Sequence, residues 1–287
     1  MRSFQKRYCK TEIISQFPQP AFIENIAGDD EGNLYVTSVD EGRVYKIAPQ
    51  RPPEQYAQIS GRLAGICRVL GQTFLCGGWS GDGMPAIFLL GPDCRLKMLI
   101  KLPTAQFLNG IALLEENVFL ICDAYKGVIW KYDLLSNQAD IWLGHHLLSR
   151  MNPDNPMPAA NGIKIFGDRV FVSNTARQLL LSIPLIGNEP GEPDVFLDDL
   201  NLDDFAIDGT GTIYATTHIY NSVIEITAGK QVVIIAEADQ GLAGSTSAML
   251  GRTGKDDHCL YVTTNGGLSL PLPHGLEDGK VVKIQLK

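Results

Sequence analysis

The chain has 287 residues, 45% of them apolar and 20% charged, with a formal net charge of −8. Residues 1–287 can bury one large core as a single domain, and the acidic balance without clustered Lys or Arg argues against a nucleic-acid partner. No apolar run approaches membrane-spanning length, and residues 1–7 precede no apolar core of signal-peptide kind, so a soluble cytoplasmic protein with no membrane partner is expected.

In chain order, a strand-like run over residues 11–17 precedes an internal repeat. The first copy opens at Glu24, passes a Gly-containing turn at 30–33 into Leu34 and Tyr35, alternates apolar and polar residues over 43–47, and closes with 54–59. The second opens on Ala64, Gly65 and Ile66 and reaches Phe74. The third opens on Asn109, Gly110 and Ile111, reaches Phe119 after the same interval, and continues with runs at 128–132 and 138–143. His145 and His146 follow without matched Cys or His spacing, which reads as a solvated or packed pair. The Pro-rich stretch 151–158 reads as a long loop between copies. The fourth copy opens on Asn161, Gly162 and Ile163 and reaches Phe171, and the fifth opens at Asp203 with runs at 213–214, 223–226 and 232–236. The last copy offers only 245–250, 258–264 and 280–286, so its outer strand is missing.

Copies of about 40 to 50 residues with four strands each predict an all-β fold, a six-bladed β-propeller. The run at 11–17 then supplies the fourth strand of the last blade and covers an edge that would otherwise attract other chains. The six cysteines are scattered singly, several inside apolar strand runs, and are expected to be buried free thiols.

The innermost strand of every blade lines the central channel, so residues at one register of different blades converge on a common axis. Glu24, Asn109, Asn161 and Asp203 occupy that register. Two carboxylates and two carboxamide oxygens suit one divalent cation, calcium in the first place, with magnesium, manganese or zinc as alternatives. The competing reading is a set of groups that only hydrogen-bond channel water and backbone.

At these residues the chain resembles the gluconolactonase and regucalcin family of six-bladed propellers, together with the related diisopropylfluorophosphatase and staphylococcal lactonase types. The resemblance rests on Glu24 within residues 23–26, Asn109 within 107–110, Asn161 within 160–163 and Asp203 within 202–208. It implies a channel cation held by Glu24, Asn109, Asn161 and Asp203. It also implies that Asp203, preferred over Asp204 by counting back from Asp208, acts as base or nucleophile. His218 is the titratable candidate for proton delivery. Asp123 and Asn174, at second-strand ends, are expected near the ligands or the substrate, and Trp79, in a Gly-rich segment, is expected at the channel mouth.

The chain departs from the family at Ala64 and at Ser245 or Thr246, which fill the register in blades 2 and 6. The reading that follows is a metal-dependent hydrolase of a lactone or related ester, acting on a small-molecule substrate. A noncatalytic calcium- or partner-binding propeller and a biosynthetic cyclase or lyase on the same scaffold are the alternatives.

Overall fold

The computed structural model describes residues 4–152 and 154–286. Residues 1–3 of the N-terminal segment and residue 153 of the Pro-rich loop lie outside them. Six antiparallel blades form a ring. Blade 1 runs Ile23–Gly28, Leu34–Ser38, Arg43–Ile47 and Glu54–Gln58 from the channel outward, and blade 2 runs Arg62–Leu70, Thr73–Trp79, Pro85–Leu90 and Leu96–Lys101. Blade 3 comprises Leu108–Glu115, Val118–Asp123, Val128–Asp133 and Gln138–Gly144; blade 4 comprises Ala160–Phe166, Arg169–Asn174, Leu179–Ile186 and Asp194–Asp198. Blade 5 is Phe205–Ile207, Ile213–Thr217, Ser222–Ile226 and Val232–Glu237. In blade 6, Ser245–Leu250, Cys259–Thr264 and Gly279–Gln285 are completed by the N-terminal Lys10–Phe17, paired antiparallel to Gly279–Gln285. The chain start also lays Gln5–Lys6 parallel to Val233 and Ile234 of blade 5, a pairing the sequence pattern does not announce. Among the described residues no helix is long and apolar enough to cross a membrane.

Each interface between neighbouring blades is its own apolar core. Tyr35 of blade 1 meets Phe74 of blade 2, Phe205 of blade 5 packs with Leu180 of blade 4, and Phe17 and Val281 of blade 6 pack with Ile23 of blade 1. The equal Phe intervals in blades 2, 3 and 4 do not mean equal registers. Phe74 and Phe119 face the preceding blade, whereas Phe171 faces the following one. The reason is an irregularity in the first hairpin of blades 2 and 3, between Arg68 and Leu70 and between Leu113 and Glu115, which blade 4 lacks. A one-residue slip moves a strand side chain to the opposite face. Three of the six free cysteines, Cys76, Cys122 and Cys259, are buried as expected, while Cys94 is exposed.

The inner strands share a second irregularity, and it positions the channel. In five blades the ladder skips two residues at the same point: 24–25, 64–65, 109–110, 161–162 and 246–247. A bulge of this kind leaves backbone groups unpaired and re-aims side chains. In blades 1, 4, 5 and 6 a hydroxyl on the second strand takes up the orphaned N–H: Asn25 N donates to Thr37 Oγ1 (3.1 Å), Gly162 N to Ser173 Oγ (2.8 Å), Asp204 N to Thr216 Oγ1 (3.0 Å) and Ser247 N to Thr263 Oγ1 (3.1 Å). The same hydroxyls donate to an inner-strand carbonyl of the next blade, at Ala64 (2.6 Å), Asp203 (2.6 Å), Thr246 (2.8 Å) and Glu24 (3.0 Å). Blades 2 and 3 carry Gly77 and Cys122 at that position. They rely on close approach instead: a Cβ on Gly65 would stand 2.0 Å from Asn109 O, and one on Gly110 would stand 2.2 Å from Asn161 O.

Thr216→Val keeps the shape of the side chain but leaves the buried Asp204 N–H and Thr246 carbonyl without this partner. It is expected to lower the unfolding free energy by about 1–3 kcal/mol, read from urea denaturation at constant m-value; an unchanged midpoint would show that the hydroxyl bridges contribute nothing net.

Candidate functional site

The bulges of blades 1, 3 and 4 and the segment that enters blade 5 bring Glu24, Asn109, Asn161 and Asp203 into one row across the channel. Asn109 Nδ2 donates to Glu24 Oε1 (2.8 Å) and to Asn161 Oδ1 (2.6 Å), and Asn109 Oδ1 accepts from Asn25 Nδ2 (2.7 Å). Asn161 Nδ2 donates to Asp203 Oδ1, and Asp203 Oδ2 meets His218 Nδ1 at 2.8 Å. All four register residues are 5% exposed or less. His218 stands on a single 3-10 turn, His218–Tyr220, that ends the second strand of blade 5. Its Nε2 lies 2.8 Å from Asn265 Nδ2 and 3.3 Å from Ser269 Oγ. Asn265 Oδ1 accepts from the backbone of Gly267 and Leu268, so its amide nitrogen must face the ring. The resting imidazole therefore carries its proton on Nδ1 and accepts at Nε2.

Electrostatics make the row a proton store. Burial, then the charge of Asp203, pushes the Glu24 carboxyl up to about 8, against the opposing pull of the Asn109 hydrogen bond and His218. Burial also raises Asp203, opposed by the hydrogen bond and charge of His218. For His218, burial acts downward, but the hydrogen bond and charge of Asp203 and the charge of Glu24 outweigh it and leave the imidazole above its ordinary value. Glu24 Oε2 is buried with no partner. An orphaned carboxylate oxygen beside a second acid and two carboxamide oxygens is the donor chemistry of a hard divalent cation, so these residues fit such an ion. Among the described residues no group of three His, Cys, Asp or Glu side chains lies within joint reach of a metal; the fit therefore depends on the asparagines, whose oxygens would have to give up the amides of Asn25 and Asn109 to face an ion.

Of the two neighbouring aspartates, Asp203 stands in the row. Asp204 turns toward the other end of the channel, where it takes Lys164 Nζ and Ser247 Oγ, both at 2.5 Å. In blade 6 the register residue is Thr246, not Ser245, and its hydroxyl donates to Ile23 O (2.8 Å). Asp123 and Asn174 do not join the site. Asp123 accepts from the backbone of Gln106, Phe107 and Lys126 and from Trp130 Nε1, and so ties down the loop that enters blade 3. Asn174 bonds to Leu147 O, Ser149 O and Arg177 N, fixing the loop before blade 4. Both are strand-end side chains serving turns, which is what Asp and Asn do most readily.

Trp79 lies on the rim at the same end as the row. Its Nε1 donates to Gln106 O (3.1 Å), Arg62 lies over the ring at 5.0 Å, and Phe107 packs at 4.8 Å. Tyr125 extends the stack from Phe107 at 5.0 Å, and Arg150 ends it at 5.1 Å. On the blade 1 side Phe22 stands 6.3 Å from His218. The sequence reading missed Asn25, Lys164, Phe107 and Tyr125. The Ser or Thr at the penultimate residue of second strands was the available signal for the bridges. His145 meets Glu192 at 3.2 Å and takes no part here.

No family model matches the chain. A Sarocladium schorii protein with a provisional hetero-Diels-Alderase assignment is 25% identical over 93% of this chain and 80% of its own length. A Phoma protein with the same provisional assignment is 24% identical over 94% and 90%. A calcium-binding regucalcin structure from Agrobacterium tumefaciens superposes with a TM-score of 0.70 at 14% identity, covering 99% of this chain and 97% of that one. A Xanthomonas campestris gluconolactonase gives 0.73 at 10% identity, covering 96% and 89%. The ring thus has the fold of the gluconolactonase and regucalcin type of six-bladed propeller.

The raised carboxyl and imidazole give stability a defined slope with pH. Unfolded, Glu24 ionises near its ordinary 4.5; folded, it holds its proton to about 8. That contribution is fully present below 4.5 and is lost as pH rises toward 8, and the raised His218 adds a loss of the same sign above 6.5. In chelator the melting temperature should fall from pH 5 to pH 8.5, and Glu24→Gln should flatten the fall; an equally steep fall in that variant would remove Glu24 as its source.

Proposed function

We propose that the chain is an enzyme that closes a ring in an unsaturated, oxygen-bearing small molecule, by a hetero-Diels–Alder type of cycloaddition, at the Glu24 to His218 end of the channel. The observation that carries this reading is the state of Asp203: both of its oxygens are engaged, one by Asn161 and one by His218. A carboxylate so held orients an imidazole; it is poorly placed to attack a carbonyl or strip water. A concerted cycloaddition asks for neither. Two σ bonds form as three π bonds become one, no water is consumed and nothing leaves, so the protein need only confine two π systems and polarise a heteroatom. The provisional assignments of the two fungal relatives, which match nearly the whole chain, support the same chemistry.

In this reading the stacked rim of Trp79, Phe107 and Tyr125 holds the π faces. His218, oriented by Asp203, reaches the substrate oxygen once that oxygen displaces Asn265, and protonated Nε2 donates to it. Bound to Glu24, Asn109, Asn161 and Asp203, a divalent cation would supply Lewis-acid polarisation of an oxygen.

A metal-dependent lactone or ester hydrolase is the second reading, favoured by the unpartnered Glu24 Oε2. The two separate in one assay series. Purified protein is offered an electron-poor α,β-unsaturated carbonyl compound with an electron-rich alkene, and separately a panel of lactones and aryl esters, each with chelator, calcium, magnesium, manganese or zinc. Ring closure predicts an adduct formed faster than background and with one handedness in excess, with His218→Ala and Asp203→Asn each slowing it by about 10²-fold. A racemic adduct at the background rate, together with cation-dependent lactone turnover that Glu24→Gln abolishes, would replace this reading with the hydrolase.

A further inference from the structure

The opposite end of the channel holds a cavity of about 630 Å³. Its walls are the last residues of the inner strands, so it lies beyond Asn25 and Asp204 from the row described above. The volume is that of a small-molecule site. In a chain of net charge −8, three cations, Arg68, Lys164 and Arg252, line it against a single acid, Asp204.

The three cations differ in how far they are already used. Arg68 makes a two-pronged bond to Asp30, 2.5 Å on each arm, and only 14% of its side chain is exposed. Lys164 gives one hydrogen bond to Asp204 and lies over the Phe205 ring at 5.4 Å. Arg252 comes no nearer than 3.9 Å to Asp30, and its side chain is 45% exposed. Its stem is seated against Gly28, where an added Cβ would stand 3.3 Å from Arg252 Cδ and 2.9 Å from Met249 Cε. The glycine thus makes room for one guanidinium and one thioether at the same wall. Ile111, Ile165 and Met249 make the neighbouring surface apolar.

We propose that this lower cavity binds a small organic carboxylate, its charged head on Arg252 and Lys164 and its apolar body on Ile111, Ile165 and Met249. Guanidinium and carboxylate match as two parallel hydrogen bonds, and the charge of Asp204 is offset by its pairing with Lys164, with Ser247 on its other oxygen. This site is independent of the reaction assigned to the other end.

Calorimetric titration of the purified chain with octanoate, and separately with inorganic phosphate, tests it. Octanoate should saturate at one per chain, phosphate should bind more weakly, and Arg252→Ala should weaken octanoate by about tenfold or more. Because Arg252 is exposed and makes no close bond, that variant should melt as the parent does. Glu24→Gln and His218→Ala should leave octanoate affinity unchanged. Absence of saturable octanoate binding, equal affinity in Arg252→Ala, or tighter binding of phosphate than of octanoate would each overturn the proposal. Loss of octanoate binding in Glu24→Gln would move the ligand to the upper site and overturn it equally.

Discussion

The inner-strand bulge is the constraint on which the rest of this ring depends. Six strands must approach one axis closely enough to share a channel, yet an unbroken ladder would alternate their side chains and leave no two consecutive residues free. Skipping two residues at the same height solves the geometric problem and creates a chemical one, because a buried N–H loses its partner. The chain answers in two ways. Where a second strand carries Thr37, Ser173, Thr216 or Thr263, a hydroxyl takes the N–H and hands its own proton to the next blade. Where it does not, glycine lets the neighbouring backbone come within a distance no side chain permits.

The same device sorts the polar side chains of the channel. The bulges present Glu24, Asn109 and Asn161 side by side with Asp203, which precedes the first strand of blade 5; of the residues that follow, Asn25 still reaches Asn109, whereas Asp204 turns along the channel to Lys164 and Ser247. Charge is thereby divided between two ends. At one end, two acids share a dry space with a single imidazole, and desolvation makes it costly to ionise both. At the other, Asp204 has a lysine of its own. The upper row lowers that cost by keeping a proton on Glu24.

Much of the ring was legible in the chain because period-two alternation survives in most copies and one interval recurs from Ala64, Asn109 and Asn161 to a Phe. The missing outer strand of blade 6 pointed to the N-terminal run for the same reason. What escaped were features with no periodic trace. Phe171 shares its interval with Phe74 and Phe119 yet faces the other blade, since one hairpin irregularity is invisible in spacing. Asp123 and Asn174 sit at strand ends like true channel residues, but their short side chains found backbone N–H groups of adjacent loops first. Lys164 falls at an inner-strand position filled by Ala27, Cys67, Ala112, Ala206 and Met249 in the other blades, and nothing local reveals that it will meet Asp204, forty residues on.

A fold shared with lactonases does not by itself fix the chemistry, because activity lives in the site that the scaffold carries. Hydrolysis and cycloaddition need different things from one polar row. A hydrolase must leave a base or nucleophile free to reach water. Here the acid at that position spends one oxygen on Asn161 and the other on His218, while His218 is itself covered by an asparagine whose amide is locked by two backbone donors. Every polar atom of the Asp203 half of the row is thus satisfied before substrate arrives, and only Glu24 Oε2 is left wanting. A polar surface so fully paired is suited to holding a polarised reactant in place. The aromatic stack of Trp79, Phe107 and Tyr125 stands on the rim at the same end of the channel, so paired polar groups and aromatic faces share one mouth.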